Sequence, residues 1–156
     1  ELRAADGTRT IFGADGRLEA IEDLNGNRVA TSYDGQSRLQ SLTHSSGASL
    51  TINYNPAGKI SSIGDSAGRV TSFAYDASGG YLTNVTTADG KTTGYTYITT
   101  GDGQTLHAIS SIERGGTTQH FSYDTQGRLA ATHRAAGEQL TRFSYDSAGI
   151  VFRSVA

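Results

Sequence analysis

The chain has no cysteine, no methionine and one proline in 156 residues. Without cysteine there is no disulfide framework and no thiol chemistry, a composition compatible with export. Without methionine there is no initiator, so the sequence reads as a fragment of a longer chain. The lone Pro56 leaves no proline-rich linker to divide it, and the length suits one domain, taken as residues 1–156. No apolar run approaches membrane-spanning length and no signal peptide is visible. Charge of either sign is sparse: 13 Lys and Arg against 15 Asp and Glu give a net charge of −2. The basic residues are scattered, which builds no phosphate-tracking stripe and speaks against nucleic acid as a partner.

Catalytic and metal signatures are also missing. His44, His107, His120 and His133 share no His-x-x-x-His spacing. No Gly-x-Ser-x-Gly elbow appears. The recurring aspartates do not alternate within one segment as calcium loops require. We expect no enzyme activity, no metal and no cofactor.

What the chain does have is repetition. Tyr33-Asp34-Gly35-Gln36-Ser37-Arg38-Leu39 returns as Tyr54-Asn55-Pro56-Ala57-Gly58-Lys59-Ile60 and as Tyr75-Asp76-Ala77-Ser78-Gly79-Gly80-Tyr81-Leu82. It returns again as Tyr123-Asp124-Thr125-Gln126-Gly127-Arg128-Leu129 and as Tyr145-Asp146-Ser147-Ala148-Gly149-Ile150-Val151. A weaker copy runs from Phe12 through Gly16 to Leu18, and Tyr97 opens a degenerate one. The aromatic positions 12, 33, 54, 75, 97, 123 and 145 are spaced by 21, 21, 21, 22, 26 and 22 residues. A fixed period of this size marks units that bury their apolar faces only against neighbours.

A second set of glycines, at 26, 47, 68, 90, 116 and 137, falls between the aromatic phrases. The chain is thus punctuated about every ten residues, and the expectation is two alternating turn types. Asp or Asn at the head of a turn accepts amide hydrogens from residues ahead, and Gly at positive φ closes it. Gly16, Gly58, Gly127 and Gly149 fit that closing role, while Ser37 stands where glycine is expected. Glycine at this frequency rules against helices, and the intervening segments are rich in Thr, Val, Ile, Phe and Tyr. The expectation is all-β: an antiparallel meander of about a dozen short strands built from tandem hairpins.

The strands before each Tyr-Asp turn alternate cleanly. Leu50, Ile52 and Tyr54 share one face, as do Phe73 and Tyr75, Tyr95 and Tyr97, Phe121 and Tyr123, and Phe143 and Tyr145. That aromatic face should be buried: eleven aromatics at about 150 Å² or more each exceed the exposed apolar patch of a soluble monomer. After the turn, Leu39 and Leu42, or Ile60 and Ile63, lie three apart. Either a bulge or apolar contact on both faces reconciles that spacing. Arg17, Arg38, Lys59 and Arg128 follow the turn glycine and are expected to pair with a neighbouring unit's Asp or to cover aromatic rings.

The Tyr-Asp-x-x-Gly-Arg-Leu phrase, with its Asp-x-x-Gly partner turn, resembles the YD repeat of the Rhs family. That family includes bacterial Rhs and wall-associated toxins, the Tc toxin cocoon component and the teneurins. The resemblance runs from about Gly7 to Val151. It implies a shell-like or solenoid-like curled sheet and a structural scaffold, secreted or on the cell surface, whose partners are the rest of the parent chain or a toxin payload. No Asp-Pro-x-Gly-like core motif is present, so self-cleavage does not carry over. Two alternatives stand beside the scaffold: an adhesin holding a glycan or receptor through the tyrosine face or the loop at 99–104, and a filament subunit associating through its sheet edges.

Overall fold

A computed structural model describes residues 1–101, 103–134, 138–146 and 149–154. Among these it contains strands and turns only. The strands are β1 (Leu2–Arg3), β2 (Arg9–Phe12), β3 (Leu18–Glu22), β4 (Arg28–Tyr33), β5 (Leu39–His44), β6 (Ser49–Tyr54), β7 (Ile60–Asp65) and β8 (Val70–Tyr75). They continue as β9 (Leu82–Thr86), β10 (Thr92–Tyr97), β11 (Ile109–Arg114), β12 (Thr117–Tyr123), β13 (Leu129–Arg134), β14 (Thr141–Asp146) and β15 (Gly149–Ser154). Spatial order follows chain order and successive strands run antiparallel, so the chain is the meander its repeats predict.

The chain divides into two compact units, Glu1–Ser72 and Phe73–Ala156. In the first, hairpins β2–β3, β4–β5 and β6–β7 each carry a Tyr-Asp-type turn (Phe-Gly in the first). In the second, the long segment at 98–108 separates β10 from β11, and the two-residue Gly115-Gly116 hairpin follows at φ 57° and 75°. Two left-handed residues in a row are what the tight hairpin joining Arg114 to Thr117 requires.

Turns of the two sets share one construction, the Gly115-Gly116 hairpin, the longer turn at Asp76 and the 98–108 segment apart. Asp34 N–H donates to Arg38 O, and Ser37 N–H to Asp34 O; Asp23 with Asn27 and Asp65 with Arg69 repeat the same pair of bonds. What distinguishes the tyrosine turns is the register beyond them. Ser32 faces Ser41 but Tyr33 faces Leu39, leaving Gln40 extra. The same slip follows Ile11, Asn53, Thr96 and Ser122. A bulge is therefore the reason for the three-residue spacing of the apolar positions. It returns Leu42 to the face of Leu39, where Leu42 lies opposite Thr31 and Leu50.

The aromatic face is not a buried core. Tyr33, Tyr54, Phe73, Tyr75, Tyr95, Tyr97, Phe121, Tyr123, Phe143 and Tyr145 are all half-buried, and Phe12 is 40 % exposed. Among the described residues the one fully buried apolar side chain is Ala20, on the opposite face, where it meets Ile11 and Ala30 across the strands. The expectation assumed a second layer over the rings. Their cover instead comes sideways, from the preceding repeat.

Candidate functional site

The Tyr-Asp phrase is a small device that ties its own turn and, where it carries arginine, grips the following one. Asp34 begins it. Its Oδ1 accepts the amides of Gln36 and Arg38, both at 2.9 Å, and its Oδ2 accepts Arg38 Nε at 2.8 Å. The Arg38 amide, followed by its guanidinium, holds the Asp34 carboxyl below the usual carboxylate range. Asp124 repeats the geometry with the amides of Gln126 and Arg128 and with Arg128 Nε at 2.8 Å, and its carboxyl is lowered chiefly by the Arg128 amide. Arg38 and Arg128 thus pair with the Asp of their own turn, not with a neighbour's. The turn bond to the amide at the fifth position brings the guanidinium back beside the same carboxylate.

Held there, the arginine reaches forward. The Arg38 guanidinium lies 4.2 Å from the centroid of the Tyr54 ring, and Arg128 lies 4.4 Å from that of Tyr145. Arg17, paired with Asp15 at 3.2 Å, stands over Tyr33 at 5.2 Å. Such cation–π contacts contribute about 0.5–1 kcal/mol at exposed sites. The tyrosine completes the grip by reaching back. Tyr33 Oη donates to Leu18 O at 2.9 Å, Tyr54 Oη to Leu39 O at 2.7 Å and Tyr97 Oη to Leu82 O at 2.8 Å. Tyr123 Oη donates to Ile109 O at 2.9 Å and Tyr145 Oη to Leu129 O at 2.8 Å. Those carbonyls lie at the start of the bulged strand, and the hydroxyl gives each a partner. Burial raises the Tyr97 and Tyr123 phenols further above their ordinary value. They remain neutral donors at physiological pH.

The copies differ in instructive ways. Phe12 has no hydroxyl, so the first phrase supplies only the forward half. Asn55 replaces Asp and keeps the amide bond to Lys59 at 2.9 Å, with Gly58 at φ 76°. Asp76 caps a turn one residue longer, accepting the amides of Gly80 and Tyr81. There Tyr81 replaces arginine, lying 5.1 Å from Tyr97 and stacking on His107 at 4.7 Å. Gly149 opens β15 and pairs with Asp146; the turn residues between them lie outside the described residues. The Asp146 side chain, the glycine at 137 and Asp102 lie outside the described residues.

The sequence reading missed the backward hydroxyl bond, although its signal was present: Tyr and not Phe opens all six phrases that follow another, each about 15 residues after a Leu or Ile. No described cluster of three or more His, Asp or Glu side chains is placed to hold a metal.

With this geometry in view, the comparisons are decisive on kinship. The teneurin YD-shell family model matches residues 11–111. The chain belongs to that family. Among solved structures it is similar to the complex TcdB2-TccC3-Cdc42, at 17 % identity and a TM-score of 0.71, over 94 % of this chain and 9 % of that one. It is also similar to TcdB2-TccC3 without its hypervariable C-terminal region, at 14 % identity and TM-score 0.61, over 93 % and 10 %. The Photorhabdus luminescens Tc holotoxin pore carrying TccC3-D651A matches at 15 % identity and TM-score 0.59, over 96 % and 10 %. At these identities the likeness is one of fold, and the chain spans about a tenth of each of those chains. No curated protein matches it. The YD-shell is a structural shell domain. No helix among the described residues is long and apolar enough to cross a membrane.

Proposed function

We propose that this chain is a stretch of wall: a non-catalytic scaffold within a larger YD-repeat shell that encloses or presents a payload, secreted or displayed at the cell surface. The motif residues are its mortar. Phe12, Gly16, Tyr33, Asp34, Leu39, Tyr54, Asn55, Gly58, Tyr75, Asp76, Tyr97, Tyr123, Asp124, Gly127, Arg128, Leu129, Tyr145, Asp146 and Gly149 serve folding and repeat coupling, not a reaction. The observation that carries this reading is the reciprocal grip, arginine forward and tyrosine hydroxyl back, recurring between successive phrases. Such coupling makes a sheet that stands without a second layer, which is what an enclosing wall needs.

The adhesin alternative is less well supported at the tyrosines. A sugar stacks on a free ring face, and here a guanidinium stands over Tyr33, Tyr54 and Tyr145. Protease protection in the full parent chain tests the proposal. The wall reading expects a segment resistant to trypsin in the intact parent to become sensitive when Tyr33, Tyr54 and Tyr97 are changed together to Ala. A parent with no protected segment, or one whose protection ignores these substitutions, refutes it.

A further inference from the structure

Gly94 sits in the interior of β10, opposite Asn84 on β9 and Glu113 on β11. Nothing in the backbone asks for glycine there. It is not among the residues at positive φ, and the β10 bulge lies beyond it, between Thr96 and Tyr97. A strand-interior glycine gives up side-chain packing and costs chain entropy, and where no bulge or bend explains it, it often marks a close approach from outside. Gly64, the comparable glycine of β7, is already covered: a Cβ there would meet Val70 Cγ2 at 3.6 Å. Over Gly94 the neighbours are the polar side chains of Asn84 and Glu113. A Cβ would stand 3.6 Å from Asn84 Oδ1 and 3.9 Å from Glu113 Oε2.

The result is an open notch of about 330 Å³ whose lining includes Asn84, Gly94, Thr96, Ser111, Glu113 and Thr118, with Thr83 and Tyr95 bordering it. Thr96 and Ser111 share a hydroxyl hydrogen bond at 2.7 Å. The Asn84 amide, the Thr118 hydroxyl and the Glu113 carboxylate have no hydrogen-bond or ion-pair partner among the described residues. The adjacent Arg114 does not neutralise Glu113, because strand alternation turns it to the other face, where its Nε bonds Thr93 Oγ1 at 3.1 Å. The notch therefore offers one uncompensated negative charge and neighbouring oxygen acceptors around a gap with no side chain.

We propose that this notch binds a primary alkylammonium group, as a lysine side chain of a partner segment carries. An ammonium has three donors and no acceptor, matching the carboxylate, the Asn84 carbonyl oxygen and a threonine or serine hydroxyl. The missing Cβ lets the aliphatic stem lie down on the strand. A monosaccharide is less suited, because strand alternation turns the ring of Tyr95, which borders the notch, away from the face that carries Gly94 and Glu113. The site is distinct from the inter-repeat grip and stands or falls apart from the wall's role.

The test is an amide-resolved NMR titration of the chain with the peptide acetyl-Gly-Lys-Gly-amide, its Nε-acetylated form, n-butylammonium and methyl glucoside. The expected result is saturable shifts at Gly94, Glu113 and Thr118 with the lysine peptide, abolished by acetylation. Glu113→Gln should weaken binding at least fivefold. Glu138→Gln, which removes an exposed carboxylate elsewhere, should leave it unchanged. Gly94→Ala, whose methyl makes only ordinary contacts, should fold and bind more weakly. Equal shifts with butylammonium assign recognition to the head group; shifts with the peptide alone assign it to a chain segment, and both support the site. Shifts with methyl glucoside and not the peptide, no shifts with either, or equal losses in Glu113→Gln and Glu138→Gln overturn the proposal.

Discussion

Gly16 and Gly127 hold the same place in two Tyr-Asp-type turns, at φ 79° and 75°, yet replacing them should not cost the same. A Cβ at Gly16 meets nothing within 4 Å. Gly16→Ala therefore bears only the left-handed backbone penalty, about 1 kcal/mol. At Gly127 the same Cβ would stand 2.8 Å from Gln104 O and 3.3 Å from Gln104 C, both backbone atoms of the segment between β10 and β11. Backbone cannot rotate aside as a side-chain tip does, so overpacking adds about 1–3 kcal/mol. With a urea slope of about 2 kcal/mol per molar, Gly16→Ala should lower the unfolding midpoint by roughly 0.5 M and Gly127→Ala by about 1–2 M. Hydrogen exchange gives a second readout: Gly127→Ala should speed exchange at the His107 amide, which bonds Ile98 O, while Gly16→Ala should not. Ser37 calibrates the strain alone. It already sits at φ 67°, so Ser37→Gly should stabilise by up to about 1 kcal/mol. Equal midpoint losses for Gly16→Ala and Gly127→Ala would refute the docking of the inserted segment on the later turn.

Tyr54→Phe removes the 2.7 Å bond to Leu39 O and leaves that carbonyl without its partner, so it should cost about 1 kcal/mol in urea unfolding; no loss would show the hydroxyl to be incidental. A double-mutant cycle of Arg38→Ala with Tyr54→Leu should give a coupling of about 0.5–1 kcal/mol, and the same cycle with Tyr33→Leu should give a smaller one, because Arg38 stands over Tyr54. The carboxyls of Asp34, Asp65 and Asp124 are depressed, each first by a backbone amide. Their contribution is complete above the unfolded carboxylate pKa of about 4 and is lost as pH falls through the lower folded values. Thermal stability should thus hold from neutrality to about pH 4 and fall below it, and Asp34→Asn should shrink the fall.

The turns, the antiparallel order and the shared aromatic phase were legible because each rests on a local rule: Asx capping, glycine at positive φ and alternation by two. The spacing of Leu39 and Leu42 announced an irregularity without naming it. A bulge and two-faced contact leave the same trace in sequence, and the slip at Tyr33 decides between them. Of the two roles expected of Arg38, covering a ring holds and pairing with a neighbouring unit's Asp does not, because sequence does not show that its own amide already bonds Asp34 Oδ1 and so anchors the side chain there. The depth of burial was overestimated because area arithmetic supposes a covering layer, whereas one sheet of repeats covers its rings from the side.

The grip between phrases has a sense of direction: the cation points to the following repeat and the phenol to the preceding one. A surface of that kind is not self-complementary. Two copies meeting through it about a two-fold axis would set cation against cation and phenol against phenol. Any second chain joining through this feature must do so head to tail, as in a ring or an open filament. The same polarity makes whole phrases interchangeable. Inserting or deleting one unit of about 21 residues preserves every neighbour relation, so a lineage of such walls is free to change its length in steps while keeping its grammar.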